Sequence, residues 1–207
     1  MTWKEGFGKF WHFIWEEDSL ASWLANIVIA FVLIKFIVYP GIGFVFGTTH
    51  PIVAVVSGSM EHRGLGFVNW WETGECNGAP RLPPSELYKQ YHVTKEGFEE
   101  YWFNNGFNTG DLMILFGDGE PQIGEVVVFF SPDGQPIIHR VIEIKTDGSL
   151  HTKGDNNCGS LPFEESINGN RLIGKAVLRI PLLGWVKIGF LKILDLVGIL
   201  QYTPFLR

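Results

Sequence analysis

Charge and cysteine are both scarce in this chain of 207 residues. Lys, Arg, Asp and Glu make up 18% of it, and the formal net charge is −6. Nucleic-acid binding depends on clusters of Lys and Arg, and the sequence has no such cluster. The two cysteines, Cys76 and Cys158, form no CxxC pair, so the dense ligand spacing of a zinc site is also missing. We expect neither a nucleic acid nor a metal ion as a partner.

The sequence leaves open whether Cys76 and Cys158 pair. In an oxidising compartment outside the cytoplasm they could form a disulfide. Equally, they could remain two unrelated thiols.

Apolar residues are abundant, and they concentrate in residues 19–46. The chain is 46% hydrophobic and 14% aromatic, which excludes a disordered chain. Lys35 is the only charge in the run, and about 20 helical residues suffice to cross the hydrocarbon core of a membrane. Three acids, residues 16–18, precede the run, unlike the basic front of a cleaved signal sequence. We predict a single-pass transmembrane anchor.

Both ends of the chain carry amphipathic patterns. Residues 1–18 place Phe7, Trp11 and Trp15 at helical spacing, which predicts a helix on the cytoplasmic membrane surface. Residues 181–207 are apolar with interspersed charges, which predicts an interfacial amphipathic helix. A second membrane span and a helix packed on the rest of the protein are alternatives for this end.

Residues 47–180 have the pattern of a β domain. Short runs of β-branched and aromatic residues, separated by Gly, Pro, Asp and Asn, predict strands at residues 52–56, 112–116, 125–130, 137–144 and 172–180. The segment at about 62–108 differs, because it contains two helical patterns, at residues 85–91 and 94–103. We interpret this segment as a helical insertion.

Three short segments contain residues suited to catalysis. Ser57-Gly58-Ser59-Met60 follows the first strand, where a tight turn can present the Ser59 hydroxyl. The Ser57 hydroxyl and the Ser59 N–H could together face an oxyanion. His139 lies in an apolar strand and could act as the proton acceptor. Asp155, 16 residues later, could accept the imidazole N–H of His139.

Four segments in this order resemble a known family, the type I signal peptidases. They are SGSM at residues 57–60, GDLMIL at 110–115, IIHRV at 137–141 and TKGDNN at 152–157. The likeness is to the archaeal and endoplasmic-reticulum branch, in which a histidine replaces the lysine base of the bacterial enzymes. It covers about residues 51–60 and 110–181.

The resemblance implies a mainly β, antiparallel catalytic domain behind an N-terminal transmembrane helix, on the extracytoplasmic side of the cell membrane. It implies a serine endopeptidase that removes signal peptides from secretory precursors and needs no cofactor; accessory subunits stay unknown. Ser59 matches the nucleophile, Ser57 the residue that assists the oxyanion, and His139 the general base. Asp155 matches the first aspartate of the GDN motif.

The acid of the triad and the role of the insertion stay open. Many members of this branch have a further acid about six positions after the first aspartate, where this chain has Leu161. Glu164 and Glu165 are therefore reserves for Asp155. The insertion lies outside the family pattern, and it could be a substrate lid, a partner-docking module or a structural elaboration.

Two rival interpretations use other residues. A Ser-Lys dyad would take Lys145 or Lys153 as its base, and that lysine would need burial to lower its pKa. A non-enzymatic alternative is a membrane-anchored β-domain adaptor whose insertion docks a protein partner through aromatic side chains. Those side chains are Trp70, Trp71, Tyr88, Tyr91, Tyr101 and Trp102.

Overall fold

The computed structural model describes residues 3–77 and 81–196, and the chain divides into two units, residues 1–45 and 46–207. The first unit is helical. Its elements are α1 (Trp3–Trp15), α2 (Leu20–Leu33), a π-helical turn (Ile34–Val38) and α3 (Tyr39–Val45). Among the described residues, one helix is long and apolar enough to cross a membrane. It is the continuous 26-residue stretch Leu20–Val45, with a mean hydropathy of 2.3 in its most apolar part.

Polar side chains at the start of α2 hold the end of α1. The Ser22 hydroxyl donates to the carbonyl oxygen of Phe13 at 2.6 Å, and the Asn26 amide donates to that of Ile14 at 2.9 Å. The last carbonyls of a helix have no partner within it, so these two bonds satisfy groups that α1 leaves free. Ser22 is 1% exposed.

The second unit is built on one six-stranded antiparallel sheet with strand order β1-β2-β6-β3-β4-β5. In β2 every second residue is buried, the alternation typical of a strand that covers a core on one face. The mainly β fold behind an N-terminal apolar helix is confirmed. The strands are β1 (Ile52–Ala54), β2 (Leu112–Phe116), β3 (Val126–Phe130), β4 (Pro136–Ile144), β5 (Leu150–Lys153) and β6 (Leu172–Ile180).

Three short helices form between β1 and β2: α4 (Phe67–Thr73), α5 (Pro84–Lys89) and α6 (Lys95–Glu99). The two helical patterns of the sequence correspond to α5 and α6, and α4 is additional. Aromatic side chains from all three helices pack together, with Trp70, Trp71 and Tyr88 at most 4% exposed. Most of the aromatic residues assigned to an adaptor surface therefore form the core of the insertion itself, and Trp102 is exposed.

Within the described residues, the helix α7 (Gly184–Leu196) follows β6. Ile188 is buried, whereas Val186, Phe190 and Ile193 are exposed. The amphipathic or membrane-associated character expected for residues 181–207 stays a prediction, because residues 197–207 lie outside the described part of the chain.

Candidate active site

The turn that carries Ser59 begins where β1 leaves the sheet. Val55 continues the pairing, since its N–H donates to Asp111 O at 2.8 Å and its carbonyl accepts from Gly110 N–H at 2.9 Å. The chain then turns through Ser57, Gly58 and Ser59, and the fully buried Met60 anchors the far end of the turn in the sheet core. The Ser57 and Ser59 hydroxyl oxygens lie 3.3 Å apart.

His139 lies on β4 opposite Val127 of β3, and it is 4% exposed. Gly154 shows how close it comes to the serine turn. A Cβ atom at Gly154 would lie 2.8 Å from His139 Nε2 and 2.8 Å from the Ser59 carbonyl oxygen. Both groups thus lie next to the position that a side chain at residue 154 would occupy. Only glycine, which has no side chain, fits there without displacing them.

Glu164 contacts the other side of the His139 ring. Its Oε1 atom forms a hydrogen bond with His139 Nδ1, and it also accepts from the Thr152 hydroxyl at 3.1 Å. Its Oε2 atom accepts from Leu161 N–H at 2.9 Å. Burial would raise the pKa of Glu164, but the hydrogen bonds from His139, Leu161 and Thr152 outweigh it and lower that pKa. A carboxylate at Nδ1 holds the proton there and leaves Nε2 free to accept one.

Asp155 has different partners. Arg140 donates to it with Nε at 2.9 Å and with Nη2 at 2.8 Å, and the Tyr88 hydroxyl donates at 2.6 Å. His62 Nε2 lies 3.2 Å from Oδ2. Burial would raise the pKa of Asp155, but the charge of Arg140 and the hydrogen bonds from His62 and Arg140 hold it well below its ordinary value.

The expected contact between Asp155 and His139 is replaced by one between Glu164 and His139. Neighbouring residues of a strand point to opposite faces, so His139 and Arg140 face different ways. Asp155 binds Arg140 and therefore lies on the face that His139 does not use. Glu165, the other reserve, is exposed.

The two candidate lysine bases, Lys153 and Lys145, have different surroundings from His139. Lys153 pairs with Arg140 across β4 and β5, which places it on the Arg140 face. It is fully buried, and its ammonium group donates to Gly154 O at 2.9 Å. Burial lowers its pKa to about 8, although the charge of Asp155 opposes this. Lys145 lies beyond the end of β4, in the turn to β5.

Thr152 and Gly154 are site residues that the sequence did not single out for a role. Thr152 supports Glu164, and Gly154 leaves room for His139 and Ser59. Both lie within the TKGDNN segment, so the sequence contains them in a recognised motif but does not show which groups they contact.

Comparison with known proteins identifies relatives of one kind. The chain is 34% identical over 117 residues to the "Signal peptidase complex catalytic subunit SEC11" of Colletotrichum graminicola, a match that covers 46% of this chain and 68% of the relative. It is 37% identical over 93 residues to sec11 of Dictyostelium discoideum, a match that covers 40% of this chain and 52% of the relative. With sec11 of Pyrenophora tritici-repentis it shares 28% identity over 187 residues, 83% of each chain.

No family model matches the chain, and no solved structure does. The ordered motifs, the antiparallel sheet and the SEC11 relatives agree with one another. The chain belongs to the SEC11 family of signal peptidase catalytic subunits, the endoplasmic-reticulum type of type I signal peptidase, which are serine proteases.

Proposed function

We propose that this chain removes signal peptides from secretory precursors with Ser59 as nucleophile, His139 as general base and Glu164 as the acid behind His139. The observation that carries this assignment is the shared point at Gly154, 2.8 Å from both His139 Nε2 and the Ser59 carbonyl oxygen. This observation supports the assignment, because in the proposed mechanism the free nitrogen of the imidazole must lie near the residue that loses a proton.

In the proposed reaction, the Ser59 hydroxyl oxygen attacks the scissile carbonyl carbon while its proton moves to His139 Nε2. The proton then passes from Nε2 to the leaving amine, and the peptide bond breaks. A water molecule hydrolyses the acyl-enzyme by the same route and regenerates the serine. Glu164 keeps the ring in the required tautomer and stabilises the imidazolium that forms after proton transfer.

The oxyanion donors in this proposal are the backbone N–H of Ser59 and the hydroxyl of Ser57. The 3.3 Å separation between the Ser57 and Ser59 hydroxyl oxygens supports the second of these, because it places a donor beside the attacking atom. Ser57 is exposed and Ser59 is partly exposed, so a substrate can reach both.

The precursor binds in extended form beside β1 in this scheme. β1 is the first strand in the sheet order and pairs with β2 within the described sheet, so its outer edge can accept main-chain hydrogen bonds. The apolar helix Leu20–Val45 anchors the chain in the membrane that holds the precursor. Enzyme and signal peptide then meet within one membrane, which shortens the search.

We further propose that the catalytic unit lies on the side of the membrane where secretory precursors emerge, and that the N-terminal helix α1 lies on the opposite surface. The relatives are of the endoplasmic-reticulum type. The proposal is therefore anchoring in a membrane, and the expected cell membrane is not part of it. The relatives are named as subunits of a signal peptidase complex. By analogy we propose that this chain also works with other subunits.

The test is cleavage of a model secretory precursor by the purified full-length chain in detergent. Ser59→Ala and His139→Ala are expected to lower kcat by about 10³-fold or more, since the triad acts as a unit. Lys145→Ala is the control and should cleave at the wild-type rate. Wild-type cleavage by Ser59→Ala would refute the proposal.

A further inference from the structure

Asn156 forms two hydrogen bonds to the serine turn, one to the peptide unit before Ser59 and one to the peptide unit after it. Its backbone N–H donates to the Ser59 carbonyl oxygen at 2.8 Å, and its side-chain amide donates to the Gly58 carbonyl oxygen at 2.9 Å. Asn156 is 7% exposed, so water competes little for these bonds.

The bond to Gly58 has a consequence for the oxyanion. The Gly58 carbonyl and the Ser59 N–H belong to the same peptide unit, which is planar and normally trans. Its C=O and N–H therefore point in opposite directions. By holding the Gly58 oxygen, the Asn156 amide fixes where the Ser59 N–H points, and that N–H is a proposed oxyanion donor.

Asn156 belongs to a short turn, residues 154–158, which the insertion contacts at several positions. Cys158 forms a disulfide with Cys76, 82 residues earlier in the chain. The Asn77 N–H donates to the Asn156 carbonyl oxygen, and Asn77 also forms a β-bridge with Asn157.

Asp155 ties the same turn to the aromatic core of the insertion. Its carboxylate accepts from the Tyr88 hydroxyl at 2.6 Å and lies 3.2 Å from His62 Nε2. The His62 ring stacks on Trp70 at 3.6 Å between centroids. Tyr88 is fully buried and His62 is 2% exposed, so both groups are fixed by packing.

We propose that Asn156 is a positioning residue for the Ser59 oxyanion donor and that the insertion, residues 62–108, is the brace that holds Asn156 in place. The disulfide between Cys76 and Cys158 is the covalent part of this brace. This inference rests on the proposed function, and it gives the insertion a role in the chemical step rather than in substrate or partner binding.

The role makes a kinetic prediction that a purely structural element would not. An oxyanion donor acts only in the transition state, so misdirecting it lowers kcat and leaves KM unchanged. A lid or a substrate-binding element would change KM as well. Loss of fold would lower the fraction of active enzyme and the melting temperature together.

The first experiment uses Asn156→Asp in the full-length chain with the model precursor. The variant keeps the shape of the side chain but replaces the donor with a carboxylate oxygen facing Gly58 O. We expect kcat to fall about 100-fold at a KM within about twofold of wild type. Asn170→Asp, the same change at an exposed position before β6, is the matched control and should match the wild type.

The second experiment removes the brace. Reduction of the disulfide, verified by intact mass, is expected to lower kcat about tenfold at unchanged KM, and a Cys76→Ser, Cys158→Ser double variant should behave like the reduced enzyme. The reductant should have no further effect on that variant, because the chain contains no other cysteine. Tyr88→Phe keeps the ring and loses one bond to Asp155, and a kcat loss of a few-fold is expected.

The outcomes separate this inference from the proposed function. If Ser59→Ala is inactive and Asn156→Asp cleaves with wild-type kcat, the positioning role is refuted while the nucleophile stands. If reduced enzyme, double variant and Tyr88→Phe all keep wild-type kcat, the brace is refuted. Should reduction or the double variant unfold the domain, as near-UV circular dichroism would report, Tyr88→Phe decides the brace alone.

Discussion

Two buried carboxylates lie on opposite faces of strand β4, and they differ in the partner that each one holds. Asp155 binds Arg140, whose charge is permanent, and it adds bonds to Tyr88 and His62. Glu164 binds His139, whose charge can change near neutral pH, and it adds bonds to Thr152 and Leu161. An acid that faces a fixed charge stabilises the fold, whereas an acid that faces a titrating ring can assist proton transfer.

Strand β5 repeats this division with neighbouring residues. Thr152 supports Glu164 on the His139 face, while Lys153 lies on the Arg140 face and donates to the carbonyl of Gly154. The two faces therefore carry adjacent residues of both strands but different tasks. Substitutions on the His139 face should change turnover most. Substitutions on the Arg140 face should change stability most, with a smaller effect on kcat through the turn that carries Asn156.

Glu164→Gln is expected to have the largest effect. Glutamine keeps the shape but removes the charge that fixes the tautomer of His139, and the loss in kcat should be about 10³- to 10⁴-fold. Precursor cleavage at saturating substrate measures it. Glu165→Gln, the exposed neighbour, is the matched control, and equal activity of the two variants would contradict the assignment.

Arg140→Met tests the other face. It leaves the buried Asp155 carboxylate without its main partner, and we expect a loss of about 3–5 kcal/mol in the free energy of unfolding, measured by urea denaturation. Adding Asp155→Asn should restore part of that loss, because the unpaired charge is then removed. A double variant that is as unstable as the sum of the single variants would argue against the pairing.

The pH dependence of stability should report Lys153. In the folded protein its pKa is lowered from 10.5 to about 8 by burial. Between these values the unfolded chain binds the proton that the folded chain has released, so this group makes the free energy of unfolding rise with pH, by about 3 kcal/mol at most. Lys153→Met should remove this rise. If the free energy of unfolding of Lys153→Met rises between pH 8 and 10.5 as steeply as that of the wild type, another group is responsible.

Thr152→Val is expected to have the smallest effect of the substitutions on the two faces of β4. It removes one hydrogen bond to the Glu164 carboxylate and keeps the shape of the side chain, which corresponds to about 1–2 kcal/mol and to a kcat loss of about tenfold. The measurement is kcat for the model precursor. The exposed Thr146→Val is the control, and a Thr152→Val enzyme with wild-type kcat would show that Glu164 is held well enough by its other contacts.

The sequence predicted the parts of the site that depend on local order along the chain. Ser59 follows an apolar strand, and His139 lies within another, so their types and their order were readable. Glu164 was only a reserve, because its approach to His139 depends on how the chain returns after β5. No spacing rule gives that path, since Asp155 lies closer in sequence but on the other face.

The insertion shows the same limit. The sequence does not predict helix α4, because FVNWWET is short and rich in aromatic residues, which favour helices weakly. The pairing of Cys76 with Cys158 depends on two segments 82 residues apart, and the sequence could not show that they meet.

The disulfide also ties the ancestry of the insertion to that of the turn it braces. A segment with its own aromatic core can be gained or lost as one unit. Here, loss of the insertion would remove Cys76 and leave Cys158 without its disulfide partner. In related genes, the two cysteine codons should therefore appear and disappear together with the insertion. A relative that keeps the insertion but only one of the two cysteines would have lost the covalent part of the brace first.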